Sequence, residues 1–163
     1  MAEDRLTNYQ KSFLDSAKKV AVEMKKNGRV LTGVIGELSA CEKLGLLWDP
    51  QDGYDAVDGT GKSYQIKTRK NWTKANKKKK WWDCHKVDQA GRMGRFEGKT
   101  NYAFDTGIYV ELDDKFEVWE IWELEKSKVK ELEERHNHGL HIKTFKTTAC
   151  VAAYVQDKRK VIH

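Results

Sequence analysis

Residues 54 to 70 read YDAVDGTGKSYQIKTRK, and this stretch narrows the choice of folds more than any other part of the chain. Gly59, Thr60 and Gly61 make a turn of small residues. After it the run alternates, with Tyr64, Ile66 and Thr68 on one side of an extended chain and Gln65, Lys67 and Arg69 on the other. A three-residue loop sets Asp58 opposite Lys62 and, counting outward, Asp55 across from Gln65, at about 5 Å between β carbons. One face of such a hairpin needs cover from other elements, and the other gathers an acid, an amide and an ammonium. The commonest account of a polar hairpin face is simple solvation. Here the groups are chemically compatible with one another, and an acid on the preceding helix adds to them.

The flanking sequence supplies the cover. Leu6, Tyr9, Phe13, Ala17, Val20, Ala21 and Met24 recur at three- and four-residue steps, which predicts an amphipathic helix from about Leu6 to Met24. Asn27-Gly28 stops it, and a second helix is expected from about Thr32 to Leu46. Gly33 and Gly36 lie one turn apart on that helix, where their cost in helix propensity points to close approach of another backbone. Pro50 opens a turn-rich segment, DPQDG, ahead of the hairpin. Two antiparallel strands, 107 to 112 and 116 to 122, are joined by Asp113-Asp114-Lys115, followed by a charged helix from about Lys126 to Arg135 and a last strand near Ala149 to Val155. The expected fold is mixed α/β in a single domain spanning 1–163, with an irregular basic insertion at about 71–104.

Several function classes drop out. No GxGxxG, P-loop or GxSxG is present, which removes dinucleotide binding, nucleoside triphosphatase and serine hydrolase chemistry from the front rank. Cys41, Cys84 and Cys150 are unevenly spaced without a CxxC pair, giving neither a disulfide framework nor a four-thiolate zinc site. His136, His138 and His141 follow a helix, and their spacing matches no common zinc pattern. No run of about eighteen apolar residues occurs and the first residues lack an apolar core, so a cytoplasmic protein without a membrane partner is expected. The net charge of +6 and the pI near 9.1 make an anionic partner plausible in kind.

Glu37, on the second helix, offers a second carboxylate. Mg²⁺ takes oxygen ligands in octahedral geometry and binds through one or two carboxylates with substrate phosphate and water, a set that Asp55, Glu37 and the side-chain oxygen of Gln65 match. GVIGE, GYDAVD and YQIKTRK, in that order, resemble the helix glutamate, strand aspartate and (D/E/Q)xK elements of the PD-(D/E)xK nuclease superfamily, over about residues 30 to 70. The resemblance implies a restriction-endonuclease-like αβββαβ core with N-terminal helices packed on a mixed central sheet. It implies a Mg²⁺-dependent DNA endonuclease, with Mn²⁺ as a substitute, in which Glu37, Asp55 and Gln65 hold the metal and Lys67 is the catalytic lysine. Gln65 stands where the family has its second acid. The change removes one negative charge, which favours weaker metal binding and a one-metal mechanism, and it keeps open the alternative of a non-catalytic nucleic-acid-binding module with a degenerate metal site.

Arg69, Lys70, Lys74, Lys77, Lys78, Lys79 and Lys80 continue from the same strand, interleaved with Trp72, Trp81 and Trp82; Arg92 and Arg95 form a second basic patch. Cations neutralise phosphates and aromatic faces stack on bases, so these residues are the expected contacts to DNA, with the choice between DNA and RNA left open. Trp119, Ile121 and Trp122 read equally as core or as a homodimer contact.

Overall fold

The computed structural model describes residues 5–24, 28, 30–70, 92–135 and 140–156. The first helix, α1, spans Asn8–Glu23 and starts with a reciprocal cap: Gln10 N–H donates to Thr7 Oγ1 at 3.1 Å, and Thr7 N–H donates to Gln10 Oε1 at 2.9 Å. The expected apolar stripe is rotated. Leu14, Ala17 and Ala21 are buried, whereas Tyr9 is 90% exposed and Phe13 50%. The small side chains of Ala17 and Ala21 let α1 approach its neighbour closely, and Tyr9 and Phe13 are turned out to solvent.

Helix α2, Thr32–Leu44, lies against the sheet and buries Ile35, Gly36, Leu38, Ala40 and Cys41. Gly36 is required there, because a β carbon would stand 1.9 Å from Thr68 Oγ1. Gly33 differs from the expectation of close packing, since a β carbon on it would meet nothing within 4 Å.

Six strands follow the order β1-β2-β3-β4-β5-β6: Leu47–Gln51, Tyr54–Val57, Ser63–Lys70, Thr106–Leu112, Val118–Glu125 and Ala152–Val155. All neighbours are antiparallel except β3 and β4, which run parallel with Tyr64 beside Thr106 and Lys70 beside Leu112. The turn-rich DPQDG segment is partly strand, and Pro50 is accommodated because β1 lies at the sheet edge. The β4–β5 hairpin forms as expected. Helix α3, Lys126–Arg135, has the expected bounds, and a further helix, α4, Ile142–Ala149, precedes β6 where no helix was expected.

Strand β4 is buried at every position, so both faces of the sheet are covered. On one face Ile66, Ile108 and Val110 pack with residues of α1 and α2. On the other, Tyr109 and Leu124 pack with Val129 and Leu132 of α3, Ile142 and Phe145 of α4, and Met93, Phe96, Tyr102 and Phe104. The stretch 92–104 is therefore irregular but firmly seated; the remainder of the expected insertion, 71–91, lies outside the described residues. Its seat is specific: Glu133 of α3, 1% exposed, accepts from the backbone N–H groups of Phe96 at 2.7 Å and Glu97 at 3.1 Å, while Phe96 stacks on Phe145 at 5.8 Å. Next to it, Lys146 Nζ reaches Glu111 Oε1 at 3.2 Å and Glu120 Oε2 at 2.7 Å, with Tyr109 and Trp122 donating to the same two carboxylates. Buried acids survive here because each is paired and hydrogen-bonded.

Candidate active site

The β2–β3 register is Ala56 beside Tyr64 and Val57 beside Ser63, as the alternation and the three-residue loop require, and its continuation sets Asp55 across from Gln65. The loop is held by Asp58. Its Oδ1 accepts from Thr60 N–H at 2.8 Å, Thr60 Oγ1 at 2.6 Å and Lys62 N–H at 3.1 Å, and its Oδ2 accepts from the Tyr64 hydroxyl at 3.0 Å. Gly61 takes a φ of +87°, a conformation natural to glycine. These bonds, that of Thr60 Oγ1 foremost, hold the Asp58 carboxyl down at about 2. Asp58 serves the turn, and Asp55 is the acid left for chemistry.

The ladder ends just beyond Tyr64. The next bond of the series would take Ile66 N–H to the carbonyl of Tyr54; instead Asp55 Oδ2 accepts it at 2.7 Å and also accepts from Gln65 Nε2 at 2.9 Å. A side chain has replaced the backbone as partner, so β2 and β3 part there. Glu37 enters at this point from α2, with Oε2 accepting from the Trp48 indole at 2.9 Å. Trp48 carries no motif that would single it out; on strand β1 it fixes how Glu37 is aimed.

Both carboxyls sit above their ordinary range. For Glu37 the main cause is burial, with the Asp55 charge adding and the Trp48 bond and the Lys67 ammonium opposing. For Asp55 it is again burial, opposed by the Ile66 N–H and by Lys67. Burial, with the same two acids adding to it, pushes the Cys41 thiol up to about 12, so Cys41 stays a packed, unreactive thiol. Glu37, Asp55, Gln65 and Lys67 are thus brought together, with two negative charges facing one positive one in a partly desolvated setting.

Gln65 and Lys67 open on a cleft of about 380 Å³ whose far wall carries Arg95, Phe96 and Lys99. Lys67 Nζ lies 5.9 Å from the Phe96 ring centroid. Lys99 was not among the expected contacts, although it follows Arg95 by four residues in the same polar stretch. Of the expected basic contacts, Arg95 lines the cleft and pairs with Glu97 at 2.8 Å, and Arg69 donates Nε to the Arg92 carbonyl and Nη1 to the Thr68 carbonyl, both at 3.1 Å. Lys70 turns to the opposite face of β3, its ammonium 4.3 Å from the Phe116 ring centroid. Lys74, Lys77, Lys78, Lys79, Lys80 and Trp81 lie outside the described residues.

Among the described residues no group of three or more His, Cys, Asp or Glu side chains is arranged to hold a metal ion, and no helix is long and apolar enough to cross a membrane. Any cation at this centre would rest on two carboxylates and an amide. No protein-family model matches the chain, and no curated protein matches it in sequence.

Proposed function

We propose that the chain is a Mg²⁺-dependent endonuclease of the PD-(D/E)xK, restriction-endonuclease-like kind that hydrolyses phosphodiester bonds in DNA. The observation that carries this reading is the meeting of Glu37 and Asp55, two carboxylates raised by burial, beside Lys67 at the point where β2 and β3 part. Like charges confined together in a desolvated setting are relieved by a cation, and Mg²⁺ is commonly held by one or two carboxylates with the rest of its shell left to water and phosphate. Asp55 Oδ1, Glu37 Oε1 and Gln65 Oε1 would hold the ion. When bound, it supplies Lewis-acid stabilisation of charge on phosphate oxygens and a water of lowered pKa.

The chain's own groups do the remaining work. Lys67 offsets the charge that grows on the phosphate as the bond to the attacking oxygen forms, and Arg95 and Lys99 hold the strand in the cleft by neutralising phosphates. Phe96 walls the cleft beside Lys67 and limits water around its amine. The bond from Gln65 Nε2 to Asp55 favours a second reading, because it satisfies an Asp55 oxygen without a cation: a nucleic-acid-binding module whose metal site has decayed.

Incubation of the purified protein with supercoiled plasmid and with single-stranded DNA, in Mg²⁺, Mn²⁺ or EDTA, separates the two. Cleavage in either metal and none in EDTA is expected, falling by roughly 10²–10³ in Lys67→Ala, the scale on which loss of one charge-stabilising group is felt. Asp55→Asn should abolish it. Salt-sensitive binding with no cleavage in either metal would leave the module standing and remove the enzyme.

A further inference from the structure

Lys67 lines a second depression as well as the cleft. This groove, of about 620 Å³, runs between the first turn of α2 and the outer half of β3 and is lined by Thr32, Gly33, Lys67, Thr68, Arg69 and Lys70, with Ile66 as its apolar member. Three of its residues are cationic and none is acidic. Resting on the nuclease reading, we infer that this groove binds a phosphate group of the nucleic-acid strand, next along from the one at the Glu37–Asp55–Lys67 centre.

Four observations converge. First, β3 beyond Tyr64 has no partner strand on its β2 side among the described residues, and the alternation that turns Ile66 N–H toward that edge turns the N–H groups of Thr68 and Lys70 the same way. Second, α2 begins at this edge with no side-chain cap and no acid in its first turn, so neither of these offsets the positive end of the helix. Third, Gly33 has open space where a β carbon would stand, which lets an anion reach the helix backbone. Fourth, the Thr32 and Thr68 hydroxyls, on two residues of the groove's lining, have no hydrogen-bond partner among the described residues, that of Thr68 being packed against Gly36. An uncapped helix and an open strand edge in a groove lined by three cationic residues together suit a tetrahedral oxyanion. Because Lys67 belongs to both cavities, a strand laid over it passes from the Arg95–Lys99 wall into this groove without leaving positive charge.

The chemistry is that of phosphate, either an internal diester or the monoester of a strand end. Binding of fluorescent single-stranded oligonucleotides, with and without a 5′-phosphate, is measured by anisotropy in EDTA across a salt series. Gly33→Asp is the informative variant, since an acid in the first turn stabilises a helix while repelling an anion. Its melting temperature should be no lower than the parent's, its affinity roughly tenfold weaker and its salt slope shallower by about 0.7, the share of one phosphate on a single strand. Gly33→Ala, whose β carbon narrows the approach, should bind more weakly than the parent, and Gly33→Lys, whose ammonium offsets that loss, more tightly than Gly33→Ala, an order that stands as a test even if Gly33→Asp fails to fold. Equal binding of both oligonucleotides assigns the groove an internal diester, and preference for the phosphorylated one assigns it a strand end. A parent that binds and cleaves while Gly33→Asp and Gly33→Lys behave identically to it overturns the groove alone. A parent that neither binds nor cleaves overturns the nuclease reading and the groove with it.

Discussion

Asp55 and Asp58 sit three residues apart on one hairpin, yet their carboxyls are driven in opposite directions. Asp58 accepts four hydrogen bonds and is held at about 2; Asp55 is raised by burial, as is Glu37. The signs follow. A depressed carboxyl contributes stability that is present above its unfolded pKa and fades as pH falls toward 2, so Asp58→Asn should weaken the fold at neutral pH and matter little at the acid extreme. A raised carboxyl binds its proton more tightly in the folded state, so stability falls as pH rises from the ordinary carboxylate range through the raised values, and the cost then stays. Glu37→Gln should therefore melt at least as high as the parent at pH 8 without metal, and the advantage should vanish near pH 3. Mg²⁺ should raise the parent's stability by about 2.7 kcal/mol at one hundred times its Kd and raise that of Glu37→Gln much less. Thermal melts at the two pH values, with and without the ion, check both. Alternation and a loop count were enough to pair Asp55 with Gln65, because a hairpin's register follows from its turn. Trp48's hold on Glu37 was not legible, since it joins a helix to an edge strand that looked like a turn.

Among the elements, α2 and β3 depend most closely on one another. The contact between Gly36 and Thr68 sets the height of α2 above the sheet, and with it the distance from Glu37 to Asp55. Gly36→Ala should cost about 1–3 kcal/mol through overpacking. It should also lower cleavage by more than the lost stability explains, because the two acids move apart. Adding Thr68→Ala should restore part of both, and urea unfolding beside an activity assay reads the two effects separately. The helix bounds and the β4–β5 hairpin were legible because period and turn residues are local signals. The face of α1 was not: Tyr9 and Phe13 fit the apolar period, but a helix that packs closely uses Ala17 and Ala21 and leaves bulkier side chains outside. The strand character of Pro50 and the helix α4 were missed for the same reason, since sheet-edge position and a second covered face are properties of the assembled fold.

At the scale of the whole molecule, two cores sandwich one sheet, and the wall facing Lys67 belongs to the second core. Glu133 ties that wall to α3 through two backbone N–H groups. Glu133→Gln keeps one acceptor and presents an amide donor to the other N–H, so a loss of about 1–3 kcal/mol is expected. Weaker oligonucleotide binding should accompany it as Arg95 and Lys99 lose their support; denaturant titration and anisotropy on one preparation measure both. Sequence marked 71–104 as polar and aperiodic throughout, because Met93, Phe96, Tyr102 and Phe104 are too irregularly spaced to show a period although all four are buried. From Arg92 the chain runs back to Asp105, whose carboxylate meets Ser63 at the far end of β3, as a parallel neighbour demands.

The bond from Arg69 to the Arg92 carbonyl carries a consequence for how such a chain can vary. It fastens the outer half of β3 to Arg92, where the wall of the cleft begins, so strand and wall behave as one piece and a change made in either is felt by the other.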